Sequence, residues 1–197
     1  MKSPIRSIDY RTAIAITLAM ALVTLKILSP VYAASLGGVN MPNQTTVNGK
    51  TLVLNGLGMR TATFLKVRVY VIGLYLETKS SEAKAIIESN QAKRIELHFV
   101  HDVTAKELRN GWSEAFESNY QDVASIKDEI SKFNASMRDV KSGDSIVLEF
   151  SGDTVDVLIN ATRIDSIKGN AFQKAALSIW LGPKPPNKGL KAGILGG

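Results

Sequence analysis

An α+β domain, layered around an antiparallel sheet, is the fold class that three features of the chain predict. Strand-forming segments follow one another directly, amphipathic helices cluster between and after them, and tight-turn dipeptides separate consecutive strands. Size agrees with this. The 197 residues, 45% hydrophobic and 21% charged, suit one globular domain plus a processed segment.

The processed segment comes first. Lys2, Arg6 and Arg11 precede an apolar run from Ala13 to Leu25, which Lys26 ends. Val31 and Ala33 stand three and one residues before a cut ahead of Ala34. A positive start, a short apolar middle and a small-residue exit read as a secretory signal peptide over 1–33, leaving a domain over 34–197. A transmembrane anchor needs about 20 apolar residues, and Lys26 and Pro30 interrupt this run too early, so no stable membrane span is expected after cleavage. Loss of the leader removes half of the +6 formal charge, which takes away the main support for nucleic-acid binding. An exported chain with no cysteine fits the bacterial periplasm or medium better than a disulfide-dependent secreted class.

In the domain, residues 34–50 have weak periodicity and suggest a leading strand or loop. Thr51 to Asn55 reads as a short strand, closed by an Asn55-Gly56 turn. Met59 to Glu77 is the longest β-rich stretch; Val67, Val69 and Val71 alternate with Lys66, Arg68 and Tyr70, predicting one buried and one polar face. Glu82–Ser89 suits a short helix. Lys93 to His101 alternates again, with Ile95, Leu97 and Phe99 on one side. Thr104 and Glu107 have capping-box spacing and open a helix to Asn119, whose apolar face is Leu108, Trp112, Ala115 and Phe116. A further helix puts Val123, Ile126, Ile130, Phe133 and Met137 on one stripe. Ile146–Phe150 and Thr154–Ile159 flank the hairpin signal Gly152-Asp153, and Arg163–Ile167 adds another strand. Asn170 to Leu181 is a helix that buries Phe172, Ala175, Ala176, Ile179 and Trp180, and Gly182-Pro183 stops it.

Familiar catalytic motifs are not found. Without cysteine there is no thiol nucleophile, thiolate zinc site or iron–sulfur cluster. Gly49-Lys50-Thr51 lacks the phosphate-loop glycine, since Gln44 stands in its place. Gly56-Leu57-Gly58 lacks the third glycine of a dinucleotide site. His98 and His101, three apart on an expected strand, would face opposite sides and share no metal. Neither a metal nor an organic cofactor is expected. Arg60, however, is a cation in an otherwise apolar setting, and a guanidinium cannot shed its charge. From spacing alone it is either a surface arginine at a hairpin end or a charge held for a partner.

Two segments carry a family resemblance. Asn55-Gly-Leu-Gly-Met-Arg60 with Lys66-Val-Arg-Val-Tyr-Val-Ile-Gly-Leu-Tyr-Leu-Glu77 is one, and Ala175-Ala-Leu-Ser-Ile-Trp-Leu-Gly182 with a basic tail is the other. Together with the leader they resemble the exported bacterial chalcone isomerase-like proteins. The resemblance implies an open-faced β-sandwich, in which a large antiparallel sheet has helices packed on one face and a ligand cleft between them. It also implies that Arg60 is the family arginine, which in the true isomerases steadies the phenolate nucleophile and developing enolate. The other catalytic positions differ. Tyr70 stands for a strand threonine, Leu108 and Ala115 for a tyrosine and an asparagine, and Ile179 for a threonine. Each lost hydrogen bond to a developing charge costs about 1.5–3 kcal/mol, so the apolar replacements argue against true chalcone isomerase activity.

The resemblance therefore implies a binding protein for a small amphipathic carboxylate or phenolic ligand, such as a fatty acid. Arg60 would be its anchor and Tyr70 a second donor, with Leu108, Ala115, Phe116, Ile179 and Trp180 as apolar walls. An alternative is an isomerase or intramolecular lyase on another small substrate, with Arg60 as oxyanion stabiliser and Tyr70 as proton donor. A third is a structural envelope protein in which Arg60 pairs internally.

Overall fold

The computed structural model describes residues 33–62, 65 and 67–197. Apart from Ala33, the expected leader lies outside the described residues. Strands β1 (Ala33–Leu36) and β2 (Val39–Pro42) form a small antiparallel ribbon. Seven more strands form one sheet: β3 (Gln44–Val47), β4 (Lys50–Ala62), β5 (Val67–Leu76), β6 (Lys93–Phe99), β7 (Ser145–Ser151), β8 (Thr154–Ile159) and β9 (Thr162–Lys168). They lie side by side in chain order, every neighbour antiparallel. Helix α1 (Ala83–Glu88) joins β5 to β6. Helix α2 (Ala105–Asn119), a short 3₁₀ turn (Val123–Ile126) and α3 (Lys127–Ala135) join β6 to β7. Helices α4 (Asn170–Leu181) and α5 (Lys188–Ile194) follow β9.

Strand alternation divides the sheet into two faces. Ile72 and Leu74 of β5, Ile95 and Leu97 of β6, and Leu148 and Phe150 of β7 point to the helices and are fully buried. They share one core with Phe116 of α2, Phe133 of α3, Phe172 and Trp180 of α4, and Leu190 of α5. Phe116, Phe133 and Phe172 meet with ring centroids 5.9 Å apart in each pair. On the outer face Arg94 reaches Glu96 at 2.9 Å and also pairs with Glu149, while His98 lies 3.2 Å from Glu96 and Arg163 3.0 Å from Asp156. The result is a curled sheet with its helices on one face.

The start of α2 follows its sequence signal. Glu107 N donates to Thr104 Oγ1 at 3.2 Å and Thr104 N donates to Glu107 Oε2 at 2.9 Å, which closes the capping box of α2. Two expectations need correction. No turn forms at Asn55-Gly56, because β4 runs straight through it with only a register shift between Leu54 and Gly56. Asn55 is instead buried at that bulge: its Nδ2 donates to Ser80 O at 3.0 Å and Ile194 O at 2.8 Å, and its Oδ1 accepts from Ser80 N at 2.8 Å. The second correction concerns β5. Tyr70, expected on the polar face, is buried and Val67, expected on the buried face, is exposed, while Val71 is buried and Arg68 exposed as expected. β5 is a central strand covered on both sides, and Val67 lies at its exposed tip, where alternation has nothing to pack against.

Lys93 begins the inner row of β6 and is buried, donating from Nζ to Ser89 O at 2.6 Å and Gln91 O at 3.1 Å. Burial pushes its pKa down from 10.5 to about 8, partly offset by the charge of Glu77. Between those values the unfolded chain holds a proton that the folded chain has lost, so stability rises with pH across the window. Urea unfolding measured from pH 8 upward is expected to show this rise, and Lys93→Met is expected to abolish it. A slope unchanged by the substitution would assign the effect to other groups.

Candidate functional site

The site starts from the spacing of two glycines and an arginine on β4. After the bulge, Gly56, Gly58 and Arg60 pair with Leu74, Ile72 and Tyr70 of β5, so all three face the helices. The glycines leave room for α5. A Cβ at Gly56 would lie 2.1 Å from Gly193 O, and one at Gly58 would lie 2.6 Å from Leu190 O. Helix α5 therefore rests directly on the strand backbone, and Arg60 is the first side chain to project beyond its N-terminus.

The segment leading into α5 is fastened at both ends. Asn187 Nδ2 donates to Met59 O at 3.0 Å, and Asn187 Oδ1 accepts from Thr61 N at 3.3 Å. Asn119, the last residue of α2, donates from Nδ2 to Lys184 O at 3.0 Å and accepts from Lys184 N at 2.7 Å on Oδ1. Lys184, Pro185 and Pro186 thereby become one wall of a cavity of about 660 Å³ between the sheet and α2. Ligand pockets commonly start near about 300 Å³, so there is room for a small molecule.

Arg60, Tyr70, Leu108, Ala115 and Ile179 all line this cavity. Leu108 and Ala115 lie seven residues apart on α2, two turns along one face. Phe116 and Trp180 do not reach it. Phe116 is packed among Phe133 and Phe172, and Trp180 lies fully buried behind Tyr70 and Trp112. Residues not assigned to the site from the sequence complete the lining, among them Val69, Phe99, His101 and Trp112. Trp112 was legible as part of the Leu108 stripe, but periodicity alone does not separate a cavity wall from core. His101 lies in the bend after β6, beyond the strand on which it was expected.

Arg60 is half-buried. Its Nη1 donates to Thr61 O and to Pro186 O, the latter at 3.3 Å. No carboxylate among the described residues forms a salt bridge with it, and its other N–H groups have no partner among them. Directly across the strand pair, Tyr70 Oη accepts from Trp180 Nε1 at 3.1 Å, which leaves the phenol's own proton to donate elsewhere. Burial pushes the Tyr70 pKa up to about 12, against smaller opposing effects of Trp180 and Arg60. The site thus presents one permanent cation and one persistently protonated hydroxyl at an otherwise largely apolar hollow. Asp102, Glu107 and Glu114 supply acids elsewhere on its rim.

A family model described as chalcone isomerase-like matches residues 33–196. Among solved structures, a fatty-acid binding protein of Arabidopsis thaliana superposes with a TM-score of 0.70 at 15% identity, covering 83% of this chain and 96% of the other. That likeness is one of fold. No curated protein sequence matches the chain.

Proposed function

Because the chain belongs to the chalcone isomerase-like family, we propose that it binds a small amphipathic anion, such as a fatty acid, in the cavity beside Arg60. One observation carries the reading: a guanidinium without a carboxylate partner among the described residues faces an apolar-walled space of about 660 Å³. A carboxylate there would take charge-assisted hydrogen bonds from Arg60 and a further one from Tyr70, while Leu108, Ala115 and Ile179 would cover the chain. The fatty-acid binding protein from Arabidopsis, which shares the fold, supports the ligand class. An isomerase with Tyr70 as proton donor fits less well, since a phenol with a pKa near 12 is a weak acid at neutral pH.

The test is displacement of dansyl-labelled undecanoate by dodecanoate and by dodecanol. Arg60→Met keeps bulk but removes the charge. It is expected to weaken dodecanoate roughly ten- to a hundredfold, at about 1.5–3 kcal/mol for a charged hydrogen bond, and to leave dodecanol nearly unchanged. Equal affinity of dodecanoate for both proteins would overturn the reading.

Export belongs to the same proposal. Expression in a bacterial host is expected to yield periplasmic protein whose N-terminal sequence begins Ala34-Ser35-Leu36. Recovery of a chain that still carries Lys2 would overturn cleavage.

A further inference from the structure

We infer that the cavity accepts acids with a single negative charge and turns away those charged at both ends, a selection made by Glu107 and Glu114 on α2. The inference rests on the reading of Arg60 as a carboxylate anchor and names the class of acid that this anchor would take.

Charges around the cavity are sorted by their position along α2. The helix lines it from Glu107 to Ser118, about 16 Å of its length. At the C-terminal end, Asn119 holds the backbone of Lys184, and Arg60 Nη1 donates to Pro186 O. The arginine and the lysine of the lining both belong to that end. Glu107 stands at the other end, in the first turn, and Glu114 follows two turns later on the same stripe. The two cations of α2, Lys106 and Arg109, do not line the cavity. The lip that α2 offers is therefore acidic from Glu107 to Glu114.

These acids keep their charge. Hydrogen bonds with Thr104 hold the Glu107 carboxyl below the usual carboxylate range, so it is ionised at neutral pH. Neither Glu107 nor Glu114 forms a salt bridge among the described residues. Asp102, the third acid of the lining, is paired with Lys141 at 3.0 Å and adds little. A chain held by its head at Arg60 ends either among the apolar walls or along the lip of α2. A methyl end suits the first and is indifferent to the second. A second carboxylate is stripped of water in the first and repelled in the second.

The test titrates the full chain at neutral pH with dodecanoate, ω-hydroxydodecanoate and dodecanedioate, each displacing dansyl-labelled undecanoate. The hydroxy acid has a polar far end without charge. Dodecanoate is expected to bind tightest, and dodecanedioate about tenfold more weakly than ω-hydroxydodecanoate. Added salt is expected to narrow that gap, because charges on an exposed lip are screened. Glu107→Gln combined with Glu114→Gln removes both charges, and glutamine at position 107 still closes the capping box. This double variant is expected to bind dodecanedioate about fivefold more tightly, with ω-hydroxydodecanoate little changed. Glu114→Gln alone, at an exposed position, is expected to give about a twofold gain. Glu117→Gln, on α2 but outside the lining, is expected to give none.

Dodecanedioate bound as tightly as ω-hydroxydodecanoate by the unsubstituted chain would overturn the proposal. So would a gap left intact by both the double and the single variant, which would assign the rejection to desolvation alone. Failure of the anchor reading shows elsewhere, as a dodecanoate affinity indifferent to Arg60→Met, a measurement in which the far end of the ligand takes no part.

Discussion

Gly56→Ala is expected to lower the thermal unfolding midpoint by roughly 6–12 °C, taking about 3 kcal/mol for overpacking and 2–4 °C per kcal/mol for a chain of this size. The cost is high because the added methyl meets backbone rather than a side chain that can swing away. It would lie 2.1 Å from Gly193 O and 3.0 Å from both Gly196 N and Ile194 C. Helix α5 must lift from the strand to admit it. Lifting α5 also strains the Asn187 contacts with β4 and the reach of Arg60 to Pro186. Dodecanoate affinity is therefore expected to fall together with stability. Gly189→Ala is the control within the same helix, since a Cβ there has nothing within 4 Å. It is expected to be neutral or slightly stabilising. Melts followed by circular dichroism decide the comparison, and matching midpoints for the two variants would refute the close-packing argument.

Trp180→Ala is expected to cost about 3–5 kcal/mol, the range for removing a large aromatic from a core. Trp180 is fully buried, with its ring centroid 5.6 Å from that of Trp112, and its Nε1 is the donor to Tyr70 Oη. Removing it empties the space behind the cavity wall and frees the Tyr70 hydroxyl to rotate. Trp180→Phe separates the two effects, because it retains most of the volume and loses only the donor. It is expected to destabilise by far less while still weakening carboxylate binding. If Trp180→Phe proves as unstable as Trp180→Ala, the hydrogen bond to Tyr70 outweighs packing and the assignment is wrong.

Local signals in the sequence were reliable where local forces decide the structure. The capping box at Thr104, the Gly152-Asp153 hairpin, the alternation of Ile95, Leu97 and Phe99, and the stop at Gly182-Pro183 each involve residues within a few positions of one another. Asn55-Gly56 fails for the opposite reason. Its side-chain partner Ile194 is 139 residues away, and so is the helix that needs the glycines. A buried asparagine and a close helix look the same as a turn when only neighbours are read.

The candidate site was legible in part on similar grounds. Leu108 and Ala115 share a helix stripe that periodicity was enough to bring onto one face, whereas Arg60 and Tyr70 came together through the family resemblance, since alternation had set Tyr70 on the polar face. Phe116 and Trp180 sit beside those stripes, but a shift of one residue turns each ring from cavity to core. Lys184, Pro185 and Pro186 belong to a connection without periodicity. Only the asparagines that hold it define where it lies.

The hairpins β3–β4–β5 and β7–β8–β9 need only short loops to close, whereas β6 joins its two neighbours through helices, so the strand pairs on either side can assemble early. The clasp between β4 and the run into α5 spans 126 residues or more and must wait for everything between. During refolding, hairpins and helices will accumulate before the hollow has its far wall. Capture of a fluorescent acid then serves as a clock for the final event, lagging behind the recovery of far-ultraviolet dichroism.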